Sequence, residues 1–287
     1  MSEARTVELI EVGPRDGLQN EAKLVSLDNK RALIERLIDA GYKRIEVTSF
    51  VNPAAIPQLA DADQLVPTLP EYPDVQYICL TPNERGYDRA LKAGAKCIEV
   101  FTAATDAFCM ANTRCTVEES FARFDPIMTR AAKDRIYVRG AVSVAFHCPY
   151  SGPVEPGTAV DVALRLLEIG CDEVAICDTV GRATPNDTQR LLDEAGERLP
   201  LERIALHMHD TTGQAIENIR LGWAAGISRF DSSVGGLGGC PFAPGAPGNV
   251  ASEDVVAAFE SNGIPTGIDG DALAATASWI RQTLGKS

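Results

Sequence analysis

No run of about 18 apolar residues occurs in this chain of 287 residues, so a helical membrane span is not expected. Positive charge is also in short supply. Lys and Arg number 27 against 40 Asp and Glu, and the net charge of −13 argues against a nucleic-acid partner or a membrane-surface role. None of the eight cysteines forms a Cys-x-x-Cys pair, and several (Cys79, Cys97, Cys177) sit inside strand-like runs, so most are expected to be buried, reduced thiols. No Gly-x-Gly-x-x-Gly follows the first apolar run, which weakens a dinucleotide-binding fold. The opening Met1–Arg5 leads straight into that run and leaves no room for a signal or transit peptide, which sets a cytoplasmic expectation. No linker-like segment marks a second domain, and histidine occurs only three times.

What is present is a repeat. Eight short apolar runs occupy residues 7–12, 44–49, 75–80, 97–103, 137–146, 173–178, 204–209 and 229–234. They recur on average every ~32 residues, the size of one strand-plus-helix unit. Helix-like stretches lie between them. In 26–40, Ser26 can cap, and Leu33, Ile34, Leu37 and Ile38 form one apolar stripe. Gly41, Gly94, Gly170 and Gly226 each follow a helix-like stretch and precede a strand-like one, as helix-ending glycines do. Strands alternating with helices mean a parallel sheet, and eight units at this length favour a closed (β/α)8 TIM barrel. Residues 251–287 read as closing helices. The whole of 1–287 is expected to form a single catalytic domain, with a Gly/Pro-rich lid loop at 235–249.

In such barrels reactive groups gather at the C-terminal strand ends. The seventh run ends in His207-Met208-His209-Asp210, and residues i and i+2 of a strand share a face, so both imidazoles can serve one metal ion. Two incidental polar residues at a sheet edge would give the same pattern. The first run leads into Gly13-Pro14-Arg15-Asp16-Gly17, readable as a structural turn or a catalytic one. Glu46 lies between apolar neighbours and should point inward with Thr48; a buried carboxylate there needs a partner or a metal. Glu99 repeats the Ile-Glu-Val context, so the glutamate can equally be a repeat feature of the barrel interior. The sixth run ends in Asp178-Thr179. In 235–249, Cys240 stands at the tip of a glycine-rich loop, as in a mobile lid carrying a reactive thiol, and Asn249 can cap the next helix or offer an oxygen ligand. His147 reads as a packing residue at a strand end.

These stretches resemble the 3-hydroxy-3-methylglutaryl-CoA lyases of the DRE-TIM metallolyase superfamily. The likeness rests on Val12–Glu21, Glu46–Phe50, His207–Thr211, Gly236–Pro241 and Gly248-Asn249, and spans residues 12 to 254. It implies a (β/α)8 barrel, a divalent cation such as Mg2+ or Mn2+, and cleavage of a 3-hydroxyacyl-CoA to acetyl-CoA and a keto acid. It also implies a homodimer and a place in leucine degradation and ketone-body formation. By the same resemblance Asp16, His207, His209 and Asn249 are the metal ligands. Arg15 stabilises the enolate oxygen, Cys240 is the loop acid/base and Glu46 assists proton transfer. Asp178 joins the catalytic candidates, and Gln19 and Ser49 are candidates for holding the acyl-CoA substrate.

The chain departs from the family pattern near the expected acyl pocket. Ala141 stands in place of a tyrosine, His147 in place of a glycine, and a serine of the sixth strand is missing from Ala175–Asp178. These changes remove polar groups and open volume, so the acyl substituent is expected to differ from methyl. The competing readings are an aldolase or acyl-CoA condensing enzyme on the same barrel, against which the cysteine loop speaks, and a non-catalytic metal- or CoA-binding protein.

Overall fold

A computed structural model describes residues 5–238 and 248–286. Ten strands occur among them: β1 (Glu8–Glu11), β2 (Arg44–Ser49), β3 (Gln76–Leu80), β4 (Cys97–Ala103), β5 (Tyr137–Ser143), β6 (His147–Cys148), β7 (Gly152–Pro153), β8 (Glu173–Asp178), β9 (Ile204–Met208) and β10 (Arg229–Ser232). Eight of these close into a barrel of parallel strands in the order β1-β10-β9-β8-β5-β4-β3-β2, with helices around it. The closed (β/α)8 expectation therefore holds. The eight runs all become barrel strands; the fifth stops at Ser143, where Val144 turns to a φ of 51°, and β6 and β7 then form a small antiparallel ribbon holding His147.

The local signals act as read. Ser26 caps helix Leu27–Asp39 by accepting the Asn29 N–H, and the helix buries Leu33, Ile34 and Leu37. Gly41, Gly94, Gly170 and Gly226 all take the left-handed conformation at helix ends. Helices Ser252–Glu260 and Gly270–Leu284 complete the outer ring, the latter packing beside Leu27–Asp39. The main apolar core lies between strands and helices. Inside the barrel, Ile10, Val12, Ile78 and Cys97 form one patch and Ala141, Ala175, Cys177 and Ala205 another. The seven described cysteines are buried with free thiols; Cys240 lies outside the described residues. No helix among the described residues is long and apolar enough to cross a membrane.

One expectation is corrected. The β2–β3 register slips between Glu46 and Thr48, so Thr48 aligns with Cys79 of the outer core and Ser49 with Leu80, which lines the central cavity. A one-residue slip exchanges the faces of a strand. Glu46 points inward, but Thr48 does not share its side.

Candidate active site and metal centre

The C-terminal ends of the barrel strands surround a cavity of about 600 Å³. Its polar side is built from the turn after β1. The N–H groups of Arg15, Asp16 and Gly17 converge on the Val12 carbonyl at 3.2, 2.8 and 3.2 Å, a wide turn that Pro14 pre-sets. Gly17 has no alternative there, since a Cβ would lie 2.8 Å from Leu237 Cβ and from Ser233 Oγ. The turn points Arg15 and Asp16 into the cavity.

Asp16 meets both histidines of the β9 end. One carboxylate oxygen and one ring nitrogen from each of His207 and His209 lie within 4.8 Å of one another. The three come from opposite ends of the sequence because β10 alone separates β1 from β9 in the barrel. His207 Nδ1 lies 3.1 Å from Asp231 Oδ2, which leaves Nε2 as the lone-pair nitrogen; His209 Nδ1 is buried with no hydrogen-bond partner among the described residues. Asn249 completes the group. Its amide Nδ2 donates to Asp16 Oδ2 at 2.7 Å and to the Leu237 carbonyl at 3.1 Å, leaving the amide oxygen as its remaining acceptor.

Charge in this cluster suits a cation. Burial works to raise the Asp16 carboxyl, but Arg15, the two imidazoles and the Asn249 amide outweigh it and hold it at about 2. Burial, with His207 close by, lowers His209 to about 4, so it is neutral at pH 7. Burial lowers His207 as well, but the hydrogen bond and charge of Asp231 win and raise it. A carboxylate, an amide oxygen, a neutral imidazole whose buried Nδ1 lacks a partner and a second imidazole with its Nδ1 already occupied make a mixed oxygen–nitrogen donor set. That set fits Mg2+ or Mn2+ better than a structural zinc ion.

Arg15 is the hub of the remaining charge. Its Nε lies 2.5 Å from Glu46 Oε1, Nη1 lies 2.8 Å from Asp16 Oδ1 and Nη2 lies 3.6 Å from Glu99 Oε1. Burial opposes its charge, but these three carboxylates keep the guanidinium ionised. Burial, and then Glu99, push the Glu46 carboxyl well above its ordinary value against the pull of Arg15.

The other candidates separate. Gln19 lines the cavity. Ser49 is fully buried at the end of β2, where it accepts the Val51 N–H at 3.3 Å. Asp178 does not line the cavity among the described residues. Its carboxylate accepts the N–H groups of Gly181, Arg182 and Ala183 at 3.0, 3.2 and 2.8 Å, and burial raises it to about 6 despite them. It holds a turn whose strand end meets His209 N through the Asp178 carbonyl, at 3.3 Å. Cys240 lies outside the described residues. Reading by sequence passed over Asp231 and Arg139, each a charged residue inside an apolar strand run; that same signal had marked Glu46.

The adjoining wall is largely apolar. Phe101, Ala141 and Ala175 align across β4, β5 and β8 and line the cavity, and Cys177 sits level with His207. Two neighbouring strands, β5 and β8, thus line the cavity with the small side chains Ala141, Ser143, Ala175 and Cys177.

The comparisons with known proteins agree with this geometry. The HMGL-like family profile matches residues 6–280. The chain is 44% identical over 287 residues, covering all of this chain and 96% of the relative, to the 3-hydroxy-3-isohexenylglutaryl-CoA/hydroxy-methylglutaryl-CoA lyase of Pseudomonas aeruginosa. It is 43% identical over 281 residues to the hydroxymethylglutaryl-CoA lyase of Pseudomonas mevalonii, covering 98% of this chain and 93% of the other. The crystal structure of the Pseudomonas aeruginosa hydroxymethylglutaryl-CoA lyase superposes with a TM-score of 0.96 at 44% identity, covering 100% of this chain and 96% of that one. An HMG-CoA lyase from Acinetobacter baumannii, in complex with coenzyme A and 3-methylmalate, superposes at 0.94 with 36% identity and coverage of 100% and 94%.

Proposed function

Since the chain belongs to the HMGL-like family, we propose that it is a metal-dependent carbon–carbon lyase. Its substrate is a 3-hydroxy-3-methylglutaryl-CoA-like thioester, and its products are acetyl-CoA and a keto acid. The reaction removes the proton of the 3-hydroxyl and breaks the C2–C3 bond. The bond's electron pair passes into the thioester as an enolate, and C3 becomes the carbonyl of the keto acid, acetoacetate when the substituent is methyl. The enolate then takes a proton at C2.

Each residue has a part that its surroundings support. The fixed, ionised guanidinium of Arg15 faces the enolate oxygen, where charge develops in the transition state. Glu46, made a stronger base by its burial, takes the hydroxyl proton in its ionised form beside Arg15 and so assists the proton transfer. Asp16, His207, His209 and Asn249 would hold the cation; Mg2+ or Mn2+ bound there supplies a Lewis acid that makes the hydroxyl easier to deprotonate. Cys240, on the loop 235–249 of what we read as a single catalytic domain, supplies the proton for C2 when that loop covers the site. Asp178 acts through the turn it holds beside His209, and Gln19 and Ser49 help seat the acyl-CoA. A homodimer in the cytoplasm, serving leucine degradation and ketone-body formation, belongs to the same reading.

The observation that carries this proposal is the meeting of Arg15, Asp16, His207 and His209 at the mouth of one barrel. Purified protein given 3-hydroxy-3-methylglutaryl-CoA and Mg2+ or Mn2+ should release acetyl-CoA and acetoacetate in equal amounts, and EDTA should stop it. Failure to release acetyl-CoA from any of a panel of 3-hydroxyacyl thioesters overturns the reading.

The small-residue wall favours a substituent larger than methyl as a second substrate class. The Pseudomonas aeruginosa relative is named for two substrates, one bearing an isohexenyl group. Thioesters with longer 3-alkyl groups should be cleaved with a kcat/KM comparable to the methyl substrate. Ala141→Phe should shift the ratio toward methyl by roughly tenfold or more, since a few methylenes in an apolar pocket are worth about that much. A wide preference for methyl in the unaltered enzyme defeats this extension.

A further inference from the structure

The metal-site reading accounts for the two histidines and Asp16 but leaves a buried charge chain behind them unexplained. Arg139, on β5, is almost fully buried, and its three guanidinium nitrogens each face a different carboxylate. Nη2 donates to Asp231 Oδ1 at 2.6 Å, Nη1 donates to Glu99 Oε2 at 3.0 Å and Nε lies 2.9 Å from Glu173 Oε1. Two of these carboxylates reach onward into the site. Asp231 Oδ2 meets His207 Nδ1 at 3.1 Å, and Glu99 Oε1 faces Arg15 Nη2 at 3.6 Å. The chain runs unbroken from one candidate ligand, His207, to the candidate enolate-binding group, Arg15. Asp16, bonded to Arg15 and grouped with His207, closes the ring.

We propose that Asp231 and Arg139 are positioning residues that fix the metal-facing nitrogen of His207 and the guanidinium of Arg15 in one frame. Burying so many ions is a poor route to stability, because apolar side chains of similar volume commonly do as well. Their geometry instead has a use. An imidazole that donates Nδ1–H to a carboxylate is locked in the tautomer with its lone pair on Nε2, and the ring cannot turn away from a cation. Arg139 occupies the other oxygen of that carboxylate, so Asp231 cannot rotate. The same guanidinium steadies Glu99 behind Arg15. A single residue therefore sets the relation between the cation and the enolate oxygen, a distance on which transition-state stabilisation depends steeply.

The proposal rests on the metal reading above, and its test separates the two. Mn2+ binding to the purified full chain is followed by electron paramagnetic resonance without substrate, and turnover is followed at saturating Mn2+. Asp231→Asn should weaken Mn2+ binding by about 10–100-fold, the usual effect of losing the partner of a metal-binding histidine. Arg139→Lys, which keeps the charge but lacks the fork, should lower kcat at saturating metal while KM for the thioester changes little. Should either variant fail to fold, the unaltered enzyme still gives an answer. With only three histidines, its imidazole 15N spectrum is assignable, and His207 should show the Nδ1–H tautomer. Absence of Mn2+ binding by the unaltered chain overturns the metal reading itself. Tight Mn2+ binding with an Nε2–H tautomer at His207, or with Asp231→Asn binding as tightly as the unaltered chain, overturns the frame alone.

Discussion

The two ends of the barrel interior are both charged and both buried, yet they are built on opposite plans. At the N-terminal end, Arg44 grips Glu173 with two hydrogen bonds of 2.8 Å, donates through Nε to Gln76 at 2.8 Å and reaches Glu8 at 3.3 Å. Arg229 adds a bond to Glu8 at 2.8 Å and lies 3.3 Å from Glu173. Burial raises the Glu173 carboxyl, but Arg139, Arg44 and Arg229 overcome it and lower it below its ordinary value. At the C-terminal end, His209 Nδ1 has no partner among the described residues and the Glu46 carboxyl is pushed well above its ordinary value. The closed end is satisfied by its own residues; the open end is left to be satisfied by something else. Catalytic power and local stability pull in different directions, and this barrel assigns them to different layers.

The largest effect that could sharpen this contrast comes from His209. His209→Ala should lower Mn2+-dependent cleavage at least a thousandfold, since Lewis-acid stabilisation of several kcal/mol is lost. Thermal unfolding of the cation-free variant, followed by calorimetry, should show a Tm within about 5 °C of that of the unaltered chain. Its Nδ1 makes no hydrogen bond among the described residues, so the fold loses chiefly the packing of the ring. A marked loss of Tm would erase the distinction, by making His209 a structural residue like those of the closed end.

Arg44→Met makes the reverse test. It strips Glu173 of a bidentate partner but leaves Arg139 and Arg229 beside it. Breaking a buried pair from one side costs about 3 kcal/mol, the low end of the usual range when other partners remain. In a chain of this size Tm should fall by roughly 5–10 °C. The folded variant's kcat/KM should stay close to that of the unaltered enzyme. A stable Arg44→Met enzyme with impaired turnover would show that the closed end serves the chemistry rather than the fold.

How far the sequence carries this picture depends on the range of each signal. The eight strands and the glycine-ended helices were legible because each is written locally, in apolar runs and capping residues. The histidine pair was legible because its two members share one strand face. Its grouping with Asp16 came only through the family resemblance and not from any local pattern, because β1 and β9 come close only when the barrel closes around β10. The same holds for Asp231, whose partner Arg139 lies 92 positions away. Thr48 was misplaced for another reason: strand alternation is a local rule, and the slip beside Glu46 depends on pairing with β3.

Glu11 offers the finest test, because it is a strut of the closed-end kind built at the open end. Its Oε1 accepts the N–H of Gly13 at 2.7 Å and of Val234 at 2.9 Å, and its Oε2 accepts the Ser252 hydroxyl at 2.6 Å. It thereby ties the turn bearing Arg15 and Asp16 to the start of the loop at 235–249. Burial raises its carboxyl from 4.5 to about 8, outweighing those three bonds. A raised carboxyl means that the folded chain binds the proton more tightly than the unfolded chain. Its contribution to stability is therefore full below pH 4.5, declines as pH rises toward 8 and changes no further above that. In Glu11→Gln the amide oxygen can still accept both N–H groups and the NH2 can donate to Ser252, with no charge to bury. Urea unfolding from pH 5 to pH 8 should show this variant gaining on the unaltered chain by up to about 1.4 kcal/mol per pH unit. The difference between the two cancels every other titrating group. If the two curves stay parallel across that window, Glu11 is ionised throughout, its three donors outweigh its burial, and this part of the open end is as fully satisfied as the Arg44–Glu173 pair below it.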